Sequence, residues 1–269
     1  MIEEFEVKFE NSSRTGRLFT AQTIEDALAQ AMDYGDVATA PELMDGMRYA
    51  DFDSPYFSLF SLQTITTMTE AIVVRVPSDE TGSPYNLNGG EYALVVAHGG
   101  VYLKTPDAIS AARSRLIRNN SAIALPEDSE NFNIALQEDP NSRIYTLAEI
   151  MDSELDLASQ QRTYRVVVPF EKARADSTLD KFPVRIAANL SYVLCAYAGS
   201  WKRAYEYTIN LLRYDIDLYN LRDAFAEAGI EDIPTTRHVV KPLFNAGQGS
   251  FVSYYIMDGS ATFLGLKRD

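Results

Sequence analysis

The residues most suggestive of chemistry stand together in "LVVAHGGVYL" (94–103), where His98 precedes Gly99 and Gly100. A histidine and two glycines after an apolar run can turn backbone N–H groups toward a developing oxyanion, as acyl-transfer chemistry requires. Such an enzyme also needs a serine nucleophile, normally within Gly-x-Ser-x-Gly, and then an acid and a second histidine. The sequence has no Gly-x-Ser-x-Gly, and its other histidine, His238, follows no convincing nucleophile. A hydrolase is therefore disfavoured.

A tight turn explains the same stretch without catalysis. Gly99 or Gly100 can supply the positive φ that a short hairpin loop requires, and the apolar residues on each side alternate as strand residues do. The sequence therefore predicts a hairpin over 92–104 with His98 exposed at its tip. In that position the histidine could serve a contact or a pH-sensitive interaction, and catalysis is not expected.

Paired carboxylates offer a second kind of chemistry, a magnesium site. Asp-x-Asp occurs as Asp51/Asp53 in "ADFDSP" and as Asp215/Asp217 in "RYDIDL". Such pairs can hold Mg²⁺ in phosphoryl-transfer enzymes. On a helix the side chains of residues i and i+2 diverge, so Asp215 and Asp217 fit a helix junction better. Asp51 and Asp53 stand in a loop-like segment and leave a metal-dependent enzyme open as one interpretation.

No other motif assigns a catalytic, metal or cofactor site. Two histidines and one cysteine are too few for a zinc site without carboxylates. The sequence has no Gly-x-x-x-x-Gly-Lys-Ser/Thr loop and no Gly-x-Gly-x-x-Gly after a strand. We therefore assign no catalytic residue, no metal ligand and no cofactor.

Cations and aromatic residues cluster where a partner contact would use them. Arginine together with tyrosine or tryptophan is the combination enriched at the centres of protein interfaces. One group opens the helical pattern "WKRAYEYTINLLRY", and two arginines belong to "TPDAISAARSRLIRNN". The same positions could contact DNA or RNA. The candidate contact residues are Trp201, Lys202, Arg203, Tyr205, Arg113 and Arg118.

Charge and composition limit the partners and the compartment. The 269 residues carry a formal net charge of −14, which opposes broad affinity for nucleic acid or anionic membranes. Cys195 is the only cysteine, so there is no intrachain disulfide framework. The acidic start "MIEEFEVKFE" is unlike a signal peptide, and no apolar run reaches the roughly 20 residues of a membrane-spanning helix. We expect a cytoplasmic or virion protein that is neither secreted by a signal peptide nor membrane-spanning.

Residues 1–36 have the pattern of a β-β-α unit. Two alternating segments, "FEVKF" and "GRLFTA", predict strands. Thr23 and Asp26 predict the start of a helix, and Gly35 predicts its end. We expect this unit either beside a main α+β domain (37–269) or as an integral part of it.

Strand and helix signals follow one another irregularly along the rest of the chain. Strands are predicted at 71–76 and 163–170, and a capping box of Thr146 with Glu149 predicts the start of a helix. The longest helical pattern covers 184–228. It is interrupted at "GS", where the serine fits the N-cap of the second part.

The C-terminal segment predicts a second hairpin, over 251–266. Asp258-Gly259 is the residue pair most typical of a two-residue hairpin turn. Strands thus stand at both ends and in the middle of the chain, with helices grouped between them. This order predicts an α+β fold with mixed or antiparallel sheets instead of a regular alternation of strands and helices.

The preferred interpretation is a non-catalytic structural or assembly protein that acts through protein–protein contacts in a larger complex, of the kind found in bacteriophage particles. The 16 tyrosines suit contact surfaces, because a tyrosine ring packs while its hydroxyl stays hydrated. We expect protein partners or a homo-oligomer, and no membrane partner. An accessory subunit of a nucleic-acid-processing machine and an unrecognised metal-dependent enzyme are the alternatives.

Overall fold

A computed structural model gives the arrangement of much of the chain. It describes residues 4–50, 67–76, 85, 87–90, 92–99, 122–124, 142–152, 157, 161–169, 192–207, 243–245, 250–252 and 261–268. The strands are β1 (Phe5–Lys8), β2 (Ser13–Ala21), β3 (Gly35–Val37), β4 (Thr69–Arg75), β5 (Tyr92–His98), β6 (Ala122–Ala124), β7 (Arg143–Thr146), β8 (Tyr164–Pro169), β9 (Leu243–Asn245), β10 (Ser250–Val252) and β11 (Ala261–Lys267). The helices are α1 (Ile24–Tyr34), α2 (Ala40–Tyr49), α3 (Leu147–Ile150) and α4 (Tyr192–Ala198), followed by α5, described over 201–207. The predicted α+β class is confirmed.

The first and last strands form one antiparallel sheet, in the order β1-β2-β11-β3, which we call the terminal sheet. β11 lies between β2 and β3 and pairs with both, from Ala261 opposite Ala21 to Lys267 opposite Gly35. A strand from the far end of the chain therefore completes the sheet of the expected β-β-α unit. The division of the chain at residue 36 stays a prediction.

α1 packs on the terminal sheet through its apolar stripe, in which Leu28 is fully buried. The helix begins as predicted, because Oγ1 of Thr23 accepts a hydrogen bond from the N–H of Asp26 at 3.1 Å. Gly35 ends it, also as predicted. A Cβ added at Gly35 would stand 2.1 Å from the carbonyl oxygen of Leu266 in β11, so the close approach of the two strands requires glycine.

The second sheet, which we call the central sheet, is mixed and has the order β6-β4-β5-β8-β7. β5 is antiparallel to β4 and β8, whereas β6 and β7 run parallel to the strands beside them. Residues 93–98 of β5 are all 0% exposed. A continuous apolar run is typical of a strand covered on both faces, and this explains why β5 is central.

The predicted hairpin over 92–104 is wrong in its pairing. β4 and β8 lie along the two edges of β5, where the prediction requires residues 101–104. Those residues themselves lie outside the described ones. The physical reason is that the unbroken apolar run before the glycines indicates two-sided burial, which a hairpin at the surface would not give.

The hairpin predicted over 251–266 stays a prediction, because residues 253–260 lie outside the described ones. β10 pairs with β9, with Phe251 opposite Phe244, and β11 belongs to the terminal sheet. Asp258-Gly259 lies outside the described residues. β2 pairs with β11 from Ala261 to Leu266, and β3 pairs with it from Gly265 to Lys267.

The helical region predicted over 184–228 is confirmed within 192–207, where α4 and α5 are separated by Gly199 with a φ of 70°. The capping box predicted for Thr146 and Glu149 is present and starts α3. Among the helices that the structure describes, none is long and apolar enough to cross a membrane.

Three backbone hydrogen bonds connect the two sheets. The N–H of Ala38 donates to the carbonyl of Leu264 at 2.8 Å, the N–H of Met68 to that of Ala38 at 2.9 Å, and the N–H of Gly99 to that of Met68 at 2.8 Å. Gly99 has a φ of 82°, which confirms the positive φ predicted for this glycine pair. These hydrogen bonds therefore join the terminal sheet to the central sheet at the end of β5.

Apolar side chains fill the space on both faces of β5. One cluster joins Leu94 and Val96 to residues of α2, α4 and the terminal sheet. The other joins Ala93, Val95 and Ala97 to residues of α1 and β11. The helices and both sheets thus share a continuous core around β5.

Candidate contact site on helix α5

His98 lies in the interior, although the sequence predicts it at an exposed hairpin tip. Its side chain is fully buried, and its ring centroid lies 4.4 Å from that of Tyr164. Burial lowers the pKa of His98 to about 3, with a further lowering by Arg203 and an opposing effect of the hydrogen bond to Ala196. The histidine is therefore neutral near pH 7, and the prediction of a pH-sensitive surface contact is wrong.

A directed chain of hydrogen bonds holds the ring of His98. Its Nε2 lies 3.0 Å from the carbonyl oxygen of Ala196, so Nε2 carries the proton and donates. Nδ1 then accepts from the hydroxyl of Thr69 at 3.0 Å. The Oγ1 of Thr69 accepts in turn from the N–H of Ala40 at 2.9 Å. The chain links α2, β4, β5 and α4, which is a structural role.

Helix α5 starts after a turn whose backbone geometry is set by Gly199 and Ser200. Gly199 has positive φ, and a Cβ added there would stand 2.0 Å from the hydroxyl oxygen of Tyr164. Oγ of Ser200 accepts a hydrogen bond from the N–H of Arg203 at 3.1 Å, as the predicted N-cap requires. The direction in which α5 leaves α4 is therefore set by these residues.

Arg203, a predicted contact residue, lies beneath the surface with 1% of its area exposed. Its Nε donates to Oδ1 of Asp45 at 2.7 Å and its Nη2 to Oδ2 at 3.2 Å. Its Nη1 donates to the carbonyl of Ala198 at 2.9 Å. A buried guanidinium is tolerated only when its charge is paired and its donors are used, so Arg203 joins α5 to α2 and is not a surface contact.

A second arginine completes this ionic cluster. Arg48 of α2 donates to Oδ1 of Asp45 at 2.6 Å and forms an ion pair with Glu206 of α5. The positive charges of the two guanidinium groups are thus balanced by the negative charges of the two carboxylates between α2 and α5. Sequence reasoning missed Asp45 and Arg48. Their i,i+3 spacing suggests a pair on one helix face, but Arg203 is 158 residues from Asp45.

The outer side of α5 carries the aromatic residues that the sequence singles out. Trp201 and Tyr205, one helical turn apart, have ring centroids separated by 6.2 Å. Both are half-buried and pack partly on the core, and Lys202 is exposed beside them. We call Trp201, Lys202 and Tyr205 the contact patch. The structure therefore brings together three of the six predicted contact residues.

The other predicted site residues lie outside the described part of the chain. Arg113 and Arg118 are among them, as are Asp51 and Asp53. Within the part that is described, no group of three or more histidine, cysteine, aspartate or glutamate side chains is arranged to hold a metal ion.

Comparison with known proteins shows the fold. No family model matches the chain, and no curated protein matches it in sequence. A solved structure titled "Accommodation of massive sequence variation in Nanoarchaeota by the C-type lectin fold" is similar to it, with a TM-score of 0.51 and 15% sequence identity. The likeness covers 97% of this chain and 100% of that one. The chain thus shares the C-type lectin fold, and at this identity the likeness shows the fold alone.

Proposed function

We propose that this chain is a non-catalytic protein of a larger assembly, which binds a protein partner or a second copy of itself through the contact patch. The observation that carries the proposal is the Trp201–Tyr205 pair, which is partly exposed and stands beside Lys202. Large aromatic rings with a neighbouring cation bury much area for little loss of side-chain freedom. A bacteriophage particle is one assembly that would use such a subunit.

The ion pairs that hold α5 in place beneath the contact patch support this proposal. The ion pairs between Arg203 and Asp45 and between Arg48 and Glu206 hold α5 against α2. A surface fixed before binding loses less conformational entropy when a partner docks. The solved structure with a similar fold is described as accommodating massive sequence variation by the C-type lectin fold. By analogy, the buried framework here would hold the fold while the residues of the patch vary to suit a partner.

The nucleic-acid alternative receives no comparable support. Of the cations on which it relied, Arg203 is buried and bound to Asp45, and Arg113 and Arg118 lie outside the described residues. In the contact patch itself only Lys202 carries positive charge. A single lysine supplies little of the phosphate neutralisation on which nucleic-acid binding depends.

The test is the size of the species that the chain forms in material from its natural source. The tagged protein should elute within a complex larger than a monomer. Trp201→Ala combined with Lys202→Glu should weaken that complex about tenfold or more, since aromatic residues at interface centres carry most of the affinity. Lys202→Glu alone, at an exposed position, should weaken it less.

Arg143→Glu is the matched control, because Arg143 is 62% exposed and lies on β7 instead of α5. It should leave the complex unchanged. A strictly monomeric wild-type protein would refute the proposal, and so would a complex that all three variants leave intact. Thermal unfolding of each variant shows that the fold is retained.

A further inference from the structure

A second surface, far from the patch in sequence, lies at one end of the terminal sheet. It is a cleft of about 320 Å³ lined by Glu6, Ser13, Arg14, Thr15, Lys267 and Arg268. β1, β2 and β11 each contribute to it, and Glu6 stands opposite Thr15 in the strand register. We call this the terminal cleft. Its lining joins residues from both ends of the chain.

Arg14 is the fixed cation of the terminal cleft. Its Nη2 donates to Oδ2 of Asp36 at 2.9 Å and to the carbonyl of Lys267 at 2.8 Å. Its Nε donates to the same carbonyl at 3.1 Å. The side chain is only 16% exposed, so its guanidinium group is held in place before any ligand arrives.

Asp36 holds a second arginine at the cleft. Its Oδ1 accepts from Nε of Arg268 at 3.0 Å. Burial raises the pKa of Asp36, but Arg14, Arg268 and Arg162 outweigh this effect and lower it overall, so the carboxylate stays charged. The side chain of Arg268 is 70% exposed, and only its Nε is used by a described residue.

The lining of the terminal cleft carries more positive than negative charge, although the protein as a whole is acidic. Arg14, Lys267 and Arg268 supply three positive charges, against one negative charge from Glu6 and one from Asp36, which binds both arginines. The whole chain, in contrast, has a net charge of −14. Lys267 is exposed and forms no ion pair with any described residue. The hydroxyl groups of Ser13 and Thr15 add donors to the same lining.

We propose that the terminal cleft binds the carboxylate side chains of an acidic segment on a partner protein. The Nη groups of Arg268 match carboxylate oxygens in geometry and charge, and Lys267 supplies a second charged donor. Arg14 contributes positive charge, while its Nε and Nη2 donors hold Asp36 and the carbonyl of Lys267. Glu6 selects among anions, since its charge repels a dianionic phosphate more strongly than a singly charged carboxylate. The proposal rests on the proposed function only in assigning the acidic segment to a protein partner.

The test uses the purified full chain and a fluorescein-labelled hexaglutamate peptide, followed by fluorescence anisotropy at low salt. The peptide should bind, and added salt should weaken binding because the contacts are exposed ion pairs. Lys267→Glu combined with Arg268→Glu should raise the Kd about tenfold, since like charges then face the peptide. Glu6→Gln should lower the Kd, because it removes the one repulsive charge of the lining.

Arg143→Glu makes an equal charge change per residue at an exposed site on the central sheet, and it should leave the Kd nearly unchanged. Absence of peptide binding would overturn the proposal, as would equal weakening by the Arg143 control. Tighter binding of inorganic phosphate than of the peptide would overturn the choice of carboxylate. Trp201→Ala with Lys202→Glu should leave peptide binding intact, so failure of the terminal cleft and failure of the contact patch are distinguishable.

Discussion

His98 shows how one residue type can suggest a reaction and serve the fold instead. The sequence places it before two glycines, and the structure places it under Tyr164 with both ring nitrogens bonded. Its two partners lie 29 and 98 residues away in the chain. No local pattern predicts such partners. The apolar run before the histidine is the one local signal that it is buried.

The buried His98 predicts a stability that falls in acid. In the folded protein its pKa is about 3, and in the unfolded chain it is about 6.5. Between these two pKa values the unfolded chain binds a proton at His98 that the folded protein does not bind. The contribution of His98 to the free energy of unfolding is therefore fully present above pH 6.5 and decreases as the pH falls. The loss from this group is about 1.4 kcal/mol for each pH unit.

Urea unfolding of the wild type and of His98→Gln from pH 7.5 down to pH 4.5 measures this contribution. The variant should be less stable at neutral pH and should have a shallower dependence on pH below 6.5. The difference between the two curves isolates His98 from the carboxylates, which also titrate in this window. Parallel curves for the two proteins would contradict the assignment of a neutral, buried histidine.

At the scale of elements, local sequence rules predicted where helices start and end. They did not predict which strands pair with one another. Thr23, Thr146 and Ser200 cap the helices that their sequences predict, because a cap is a contact within a few residues. The pairing predicted for the hairpin over 92–104 was wrong. β5 lies between β4, the strand before it, and the distant β8, and β11 lies between β2 and β3 from the other end of the chain. Side-chain alternation carries no information about which strand becomes the neighbour.

The junction between α4 and α5 offers a test at this scale. Gly199→Ala should destabilise the protein by about 2–5 kcal/mol, since it adds positive-φ strain to an overpacked contact with Tyr164. Adding Tyr164→Phe should recover part of the loss, because the hydroxyl oxygen is the atom nearest to the new Cβ. Chemical denaturation of the single and double variants measures both effects. A double variant no more stable than Gly199→Ala would show that the clash is not the cause.

At the scale of the molecule, a single buried framework supports two surfaces of different character. The contact patch is aromatic and lies on α5, while the terminal cleft is positive and lies where the two ends of the chain meet. The α+β class could be predicted from the order of the elements. The cleft could not, because Arg14 and Lys267 become neighbours only through the pairing of β2 with β11.

The central claim is that the contact patch is buried when the protein assembles. Trp201 is the only tryptophan in the chain, so fluorotryptophan incorporated into this protein alone gives a fluorine NMR signal from the patch itself. We predict that in the complex this signal shifts and is protected from a soluble paramagnetic quencher, relative to the free chain. A signal whose position and quenching are the same in the free chain and in the complex would contradict the account.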